Sequence, residues 1–259
     1  MASGSVRFYG NELRRARRRA CLTQEQLAEK IQYSASMVAM VESARRAPSL
    51  DFSQRCDDVL ETGGLLGRIF EELITKEVTP EWFRAWVLVE QEATNLWTYE
   101  LAMVPGLLQT EAYARAMLGG DEALVAARLE RQKLLTRTNP PAPGMVTLVD
   151  ERALRHPVGD AQVMREQIEH LVASATRERP VQVIPDGART YHHLDGPFVI
   201  ATLNGRDLAY IDNQMGGFIL RDPESVSRIR RRWDTIRSEA LPLGQSVELM
   251  MEVARQWSS

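Results

Sequence analysis

Cysteine is scarce in this chain of 259 residues, which contains only Cys21 and Cys56. Two cysteines exclude a disulfide scaffold and favour a reducing compartment, so we expect a cytoplasmic protein. The sequence also lacks any run of about 18 or more apolar residues, and its N-terminus does not resemble a signal peptide. We therefore expect no association with a membrane.

Sequence patterns of catalysis are also missing. The chain contains no Gly-x-Ser-x-Gly, no phosphate-binding loop and no Gly-x-Gly-x-x-Gly. Its four histidines form no His-x-x-x-His pair, and none lies at zinc-ligand spacing from a cysteine. His192 and His193 lie just before Asp195 in a stretch rich in turn residues, which favours a solvated loop over a positioned base. We expect no enzyme activity, metal or cofactor.

Charge is distributed unevenly, although the whole chain has a net charge of only −3. Residues 1–50 contain nine Lys or Arg and four Glu, a net charge of +5. The remainder contains 23 basic and 31 acidic residues, a net charge of −8. This asymmetry is typical of a nucleic-acid-binding module joined to another domain, and a basic helix face that is merely solvated is the alternative.

The first part of the chain has the pattern of short helices separated by turns. Thr23-x-x-Gln26 forms a capping box, and Ser34 and Ser49 are suitable N-cap residues. We expect helices at 11–20, 23–31, 35–43, 51–61 and 65–76. Two of these helices, joined by a short turn, form a helix-turn-helix, so we predict an all-α domain over residues 1–76.

Three stretches carry a family resemblance in this domain. They are Leu22-Thr23-Gln24-Glu25-Gln26-Leu27-Ala28, Ser34-x-Ser36-x-Val38-x-x-Val41-Glu42 and Arg46-x-Pro48-Ser49. In order and spacing they resemble the Xre/Cro-like family of DNA-binding regulators. The resemblance implies that this domain binds double-stranded DNA, as a homodimer, with the helix at 35–43 in the major groove as the recognition helix.

Candidate DNA contacts follow from this assignment. By resemblance, Gln24 at the N-terminus of the second helix binds a phosphate. The side chains opposite the Val38 and Val41 stripe face the groove, and the arginines after the helix meet the backbone. The candidate DNA-binding residues are Gln24, Ser34, Ser36, Met37, Ala39, Met40, Ser43, Arg45 and Arg46.

The recognition segment departs from the family pattern. Residues 34–40 include no Arg, Lys, Asn or Gln, the side chains that make bidentate contacts with bases. Serine hydroxyls and apolar contacts with thymine methyl groups remain, and DNA shape and dimerisation can add specificity. The alternatives are a surface adapted to a protein partner and a degenerate helical domain that no longer binds DNA.

The rest of the chain has a mixed pattern. We expect further helices through residues 76–140, then strands at 145–149, 181–184, 198–203 and 208–211, with Asn204-Gly205 as a turn between the last two. Helices are expected at 161–176, 223–239 and 246–257. We therefore predict a multi-domain chain, in which the all-α domain precedes an α+β C-terminal domain over 77–259 with a small, mainly antiparallel sheet.

A second resemblance covers most of residues 80–250. Val104-Pro105-Gly106-Leu107-Leu108-Gln109-Thr110-Glu111, Glu90-x-Glu92-Ala93 and Arg128-Leu129-x-Arg131-Gln132 are similar to the C-terminal domain, of uncharacterised function, of actinobacterial WhiJ-like regulators. The resemblance names no chemistry. From the helix-turn-helix spacing and the uneven charge, we expect this acidic domain to dimerise and to sense a small partner protein or a small-molecule effector. An antitoxin-like protein that neutralises a small partner protein is the alternative.

Aromatic residues, together with one glutamine, are the candidates for a ligand or partner site in this domain. They recur at helical spacing, which fits core packing better than a pocket. The candidate residues are Trp82, Trp86, Trp97, Tyr99 and Gln109.

Overall fold

The structure is a computed structural model that describes residues 4–74, 80–187, 196–213 and 216–257. The predicted helix end at Lys76 and the loop with His192, His193 and Asp195 lie outside these residues. The chain divides into two compact units. The first comprises Met1–Glu81 and Gly120–Glu130, and the second comprises Trp82–Gly119 and Arg131–Ser259. Our predicted domains, 1–76 and 77–259, did not assign the segment Gly120–Glu130 to the first unit.

The N-terminal region of the first unit is helical, as predicted. Its helices are α1 (Gly4–Arg19), α2 (Gln24–Ile31), α3 (Ala35–Glu42), α4 (Leu50–Leu60) and α5 (Leu65–Ile69), followed by a π-helical turn at Phe70–Ile74. Three of these helices begin at side-chain caps. The Thr23 hydroxyl accepts from the Gln26 amide while the Gln26 side chain accepts from the Thr23 amide, which confirms the capping box. Ser34 and Ser49 cap α3 and α4.

The second unit contains the strands. Its elements, with the segment of the first unit that interrupts them, are α6 (Glu81–Glu92), β1 (Asn95–Glu100), a 3₁₀ turn (Gly106–Leu108), α7 (Glu111–Met117), α8 (Glu122–Gln132), a 3₁₀ turn (Lys133–Leu135), β2 (Gly144–Asp150), α9 (Glu151–Arg155), α10 (Ala161–Ser174), β3 (Val181–Ile184), β4 (Phe198–Leu203), β5 (Arg206–Asn213), β6 (Gly216–Leu220), α11 (Pro223–Ser238) and α12 (Leu243–Gln256). None of the helices within the described ranges is long and apolar enough to cross a membrane.

The six described strands form one mixed sheet in the order β3-β2-β1-β4-β5-β6. Strand β2 runs parallel to β1 and β3, and the other three pairings are antiparallel, as expected for a mainly antiparallel sheet. Asn204 and Gly205 both have positive φ between β4 and β5, which confirms the predicted turn. The prediction of helix throughout 76–140 was wrong at β1, where side chains alternate between the two faces of the sheet.

Hydrophobic cores cover both faces of this sheet. On one face, Leu96 and Met145 pack in a core that includes residues of α6, α10 and α12. On the other face, Tyr99 and Phe198 pack against Trp233 of α11. The sheet is therefore the central layer of the second unit.

A buried carboxylate joins the first three helices. The Glu42 side chain at the end of α3 is fully buried. Its oxygens accept two hydrogen bonds from the Arg17 guanidinium at 2.6 and 2.9 Å and one from the Gln24 side-chain amide at 2.8 Å. Arg14 also donates to the Glu42 carboxylate at 3.4 Å and to its main-chain carbonyl at 3.0 Å. Arg14 and Arg17 belong to α1 and Gln24 to α2, so one acidic group orients three helices.

Burial alone would raise the pKa of the Glu42 carboxyl, but the hydrogen bonds from Arg17 and Gln24 and the Arg17 charge outweigh it and hold that pKa below its usual range. A carboxyl group whose pKa falls on folding stabilises the folded state above its unfolded pKa, which is about 4.3 for Glu. This stabilisation is lost as pH falls through the folded-state pKa.

We expect Glu42→Gln to destabilise the first unit by about 3–5 kcal/mol, because it leaves the largely buried Arg17 guanidinium without its counter-charge. Hydrogen exchange with mass spectrometry at pH 7 should show faster exchange in α1, α2 and α3. Glu29→Gln is the matched control, since Glu29 is exposed on α2. Equal exchange in the two variants would contradict the role of Glu42.

We also expect the Glu42 contribution to disappear in acid. Calorimetric melting of the native chain should show the first unit losing stability as pH falls below about 4.3. The Glu42→Gln protein should lack this part of the pH dependence, and an unchanged acid profile would refute the assignment.

Candidate DNA-binding surface

The turn between α2 and α3 has a defined geometry. Leu27, Ala28 and Ile31 of α2 share one core with Val38 and Val41 of α3. Gln32 closes α2 in the left-handed conformation, with φ of 59°, where glycine would be unstrained. Arg55 of α4 donates to the Ile31 carbonyl and to the Gln32 side chain, at 3.2 and 3.3 Å. These bonds hold the turn at Gln32.

Ser36, Ala39, Met40 and Ser43 form the outward row of α3, opposite Val38 and Val41, as helical geometry predicted. Ser36 and Ser43 are exposed, and Ala39 and Met40 are half-buried. The Ser43 hydroxyl donates to the carbonyls of Ala39 and Met40, at 2.8 and 3.2 Å. Polar hydrogen-bonding capacity in this row is therefore small, and Met40 is its largest side chain.

The expectation that Met37 also reaches the groove is not supported. Met37 is only 9% exposed and packs in the core of the first unit. It lies four residues before Val41, so the two side chains share the inward face of the helix. Its amide donates to the Ser34 hydroxyl, which caps α3. Met37 therefore packs in the core, and Ser34 caps α3.

The N-terminus of α2 already carries an acidic side chain. The Glu25 backbone amide and the Thr23 hydroxyl hold the pKa of the exposed Glu25 carboxyl below its usual range. The Glu25 carboxylate lies at the helix N-terminus, where the free amides and the helix dipole would otherwise favour a phosphate. The proposed phosphate ligand Gln24 is directed by its amide nitrogen to Glu42 instead.

The two arginines after α3 differ in their surroundings. Arg45 is exposed. Arg46 forms an ion pair with Glu122 at 3.5 Å, and the two side chains are 34% and 24% exposed. Glu122 precedes Ala123, which is buried in the core of the first unit. Sequence reasoning missed Glu122 because it lies 76 residues beyond Arg46, and nothing local predicts the contact.

The aromatic candidates in the second unit do not line one pocket. Trp82 and Trp86 both stack on Tyr210, with ring centroids 6.4 and 4.8 Å apart. Trp97 and Tyr99 are two residues apart on β1, so both side chains lie on the same face of the sheet. This is the face that packs against α11, opposite the core that contains Trp86. Trp86, Tyr99 and Gln109 are at most 2% exposed, whereas Trp82 is 37% exposed.

Most of these candidate side chains are buried or covered by a neighbouring side chain. The Gln109 amide donates to the Val104 carbonyl at 2.7 Å. The Arg230 guanidinium lies 4.0 Å from the centre of the Trp97 ring. The core interpretation of the aromatic residues therefore fits the structure better than the pocket interpretation does.

Comparisons with known proteins agree with the two-part organisation. Residues 9–66 match the family described as a helix-turn-helix domain, which supports DNA binding by the region of α1 to α4. Residues 83–252 match a domain of unknown function, DUF5753. Neither the curated proteins nor the solved structures gave a significant match. Because the second match covers more than half of the chain, the protein belongs to the DUF5753 family and has a helix-turn-helix domain at its N-terminal side.

Proposed function

We propose that the chain is a sequence-specific transcriptional regulator of the Xre type, which binds operator DNA in the cytoplasm as a homodimer. The second unit dimerises and senses a small partner protein or a small-molecule effector, as in WhiJ-like regulators, and it catalyses no reaction. The observation that carries the proposal is the α2–turn–α3 arrangement, with Ser36, Ala39, Met40 and Ser43 outside the core, inside the region that matches the helix-turn-helix family.

The charge of the chain fits this division. The basic residues 1–50 supply electrostatic attraction to phosphates, whereas the acidic remainder weakens non-specific adhesion to DNA. Specificity then depends on the fit of two recognition helices in successive major grooves, about 34 Å apart.

The direct test is a gel-shift titration with the promoter region of the protein's own gene and with scrambled DNA of equal length. We expect preferential binding at physiological salt and a footprint of two half-sites spaced by about 10–10.5 base pairs. Equal affinity for both DNAs would refute sequence-specific regulation. Sedimentation equilibrium of the free chain tests the homodimer independently.

An antitoxin-like role is the second candidate, because the outward row of α3 offers apolar groups and few polar ones. In this role the surface binds a small partner protein, and DNA binding is secondary or absent. Co-expression with the protein encoded next to it, followed by size-exclusion chromatography, tests for a stable complex. A complex together with absent DNA binding would favour this candidate over the regulator.

We expect Arg46→Ala and Met40→Ala to have different effects on DNA binding. Arg46→Ala should remove a phosphate contact. It should therefore weaken binding to all sequences alike and lower the slope of log affinity against log salt by about one. Loss of the Met40 side chain should change base preference instead. Anisotropy titrations with operator variants at several salt concentrations separate the two effects, and unchanged preference in the Met40 variant would contradict the assigned groove face.

We expect Glu122→Gln to strengthen DNA binding, by up to about fivefold, because it removes the carboxylate that competes with phosphate for Arg46. The effect should be largest at low salt and absent from a protein that also carries Arg46→Ala. Glu130→Gln makes the same charge change on the same helix and is the control. Identical affinities in the Glu122 and Glu130 variants would show that the ion pair does not compete with DNA.

A further inference from the structure

The second unit contains a cavity of about 560 Å³, and none of the candidate site residues named above lines it. Its volume lies within the range of about 300–1,000 Å³ that is usual for small-molecule sites. The cavity lies beside the beginnings of β2 and β3, the last turn of α10 and the two 3₁₀ turns, Gly106–Leu108 and Lys133–Leu135.

The inner wall of this cavity is apolar. Leu107, Leu108, Leu135, Met145 and Val181 line it, and each is at most 9% exposed. These residues belong to the core on one face of the sheet, so their positions are fixed by packing. An apolar ligand segment would gain free energy by leaving water for such a wall.

The mouth of the cavity is polar and partly preorganised. His170, Glu178 and Arg179 line it. The loop before β3 is closed on itself, because the Arg179 amide donates to the Thr176 hydroxyl at 3.1 Å and the Thr176 amide donates to the Arg179 carbonyl at 3.2 Å. Partial burial lowers the pKa of the His170 imidazole.

Arg179 is the distinctive group at this mouth. Its side chain is only partly exposed, and within the described part of the chain its guanidinium has no ion-pair or hydrogen-bond partner. Glu178 next to it is exposed to water, which screens its charge more strongly. A planar guanidinium with free donors suits a carboxylate, to which it can donate two hydrogen bonds.

We propose that this cavity binds a small organic acid with an aliphatic chain, which places its hydrocarbon part against the wall of Leu107, Leu135 and Met145 and its carboxylate at Arg179. The binding itself is independent of DNA. Any effect of the acid on DNA affinity rests on the proposed regulatory function, for which this site would supply the effector.

Isothermal titration calorimetry of the full chain without DNA tests the site. The probes are octanoate, 1-octanol and octylammonium, which share the hydrocarbon chain and differ in the charge of the head group. We expect octanoate to bind about tenfold or more tightly than octanol, and octylammonium to bind most weakly. Absence of octanoate binding below its micelle concentration, or equal affinity for the three probes, would overturn the proposal.

Variants locate the binding. Arg179→Gln should reduce octanoate affinity about tenfold and leave octanol affinity unchanged. Arg177→Gln, which changes an exposed arginine of the same loop that does not line the cavity, is the matched control. Ala173→Trp adds bulk at the mouth and should weaken both probes, with melting temperature as the check on folding. Equal losses in the Arg177 and Arg179 variants would overturn the carboxylate assignment.

A separate measurement distinguishes the site from the proposed function. The affinity for the promoter fragment is compared with and without saturating octanoate. If octanoate affinity changes among the variants as expected, the site is supported whether or not the DNA affinity changes. Unchanged DNA affinity under these conditions would instead remove the acid as an effector.

Discussion

Hydrogen bonds to one buried carboxylate, that of Glu42, hold the first three helices of the first unit together. Glu42 cannot stay charged in the interior without partners, and its partners are two arginines of α1 and the amide of Gln24 on α2. The end of α3 is therefore tied to both preceding helices. Arg14 and Arg17 contribute to the positive charge of residues 1–50, but both bind Glu42. The net charge of +5 therefore overstates the positive charge that is available to phosphates.

Local signals predicted much of the fold. The capping box at Thr23 and Gln26, together with Ser34 and Ser49, gave the beginnings of three helices, because a cap depends on residues only three positions apart. The strands at 181–184 and 198–203 were also predicted with their observed bounds, since β-branched runs between Pro, Gly or Asp have few alternatives. The outward row of α3 followed from helical geometry alone.

Non-local contacts account for what the sequence did not predict. Strand β1 carries Trp97 and Tyr99, and its pairing with β2 and β4 overrides a pattern that was interpreted as helix. The Arg46–Glu122 pair, and the cavity with residues from five segments, form only after distant parts of the chain have met.

The segment Gly120–Glu130 has a consequence for how this protein can be divided. The chain returns to its first unit after forming part of its second, and α8 continues through Arg131, which belongs to the second. A fragment ending at Glu81 would therefore lack Ala123 and leave its site in the core open to water. The first unit is a discontinuous domain, so exchange between related chains by a single crossover near residue 80 would separate it from one of its own helices.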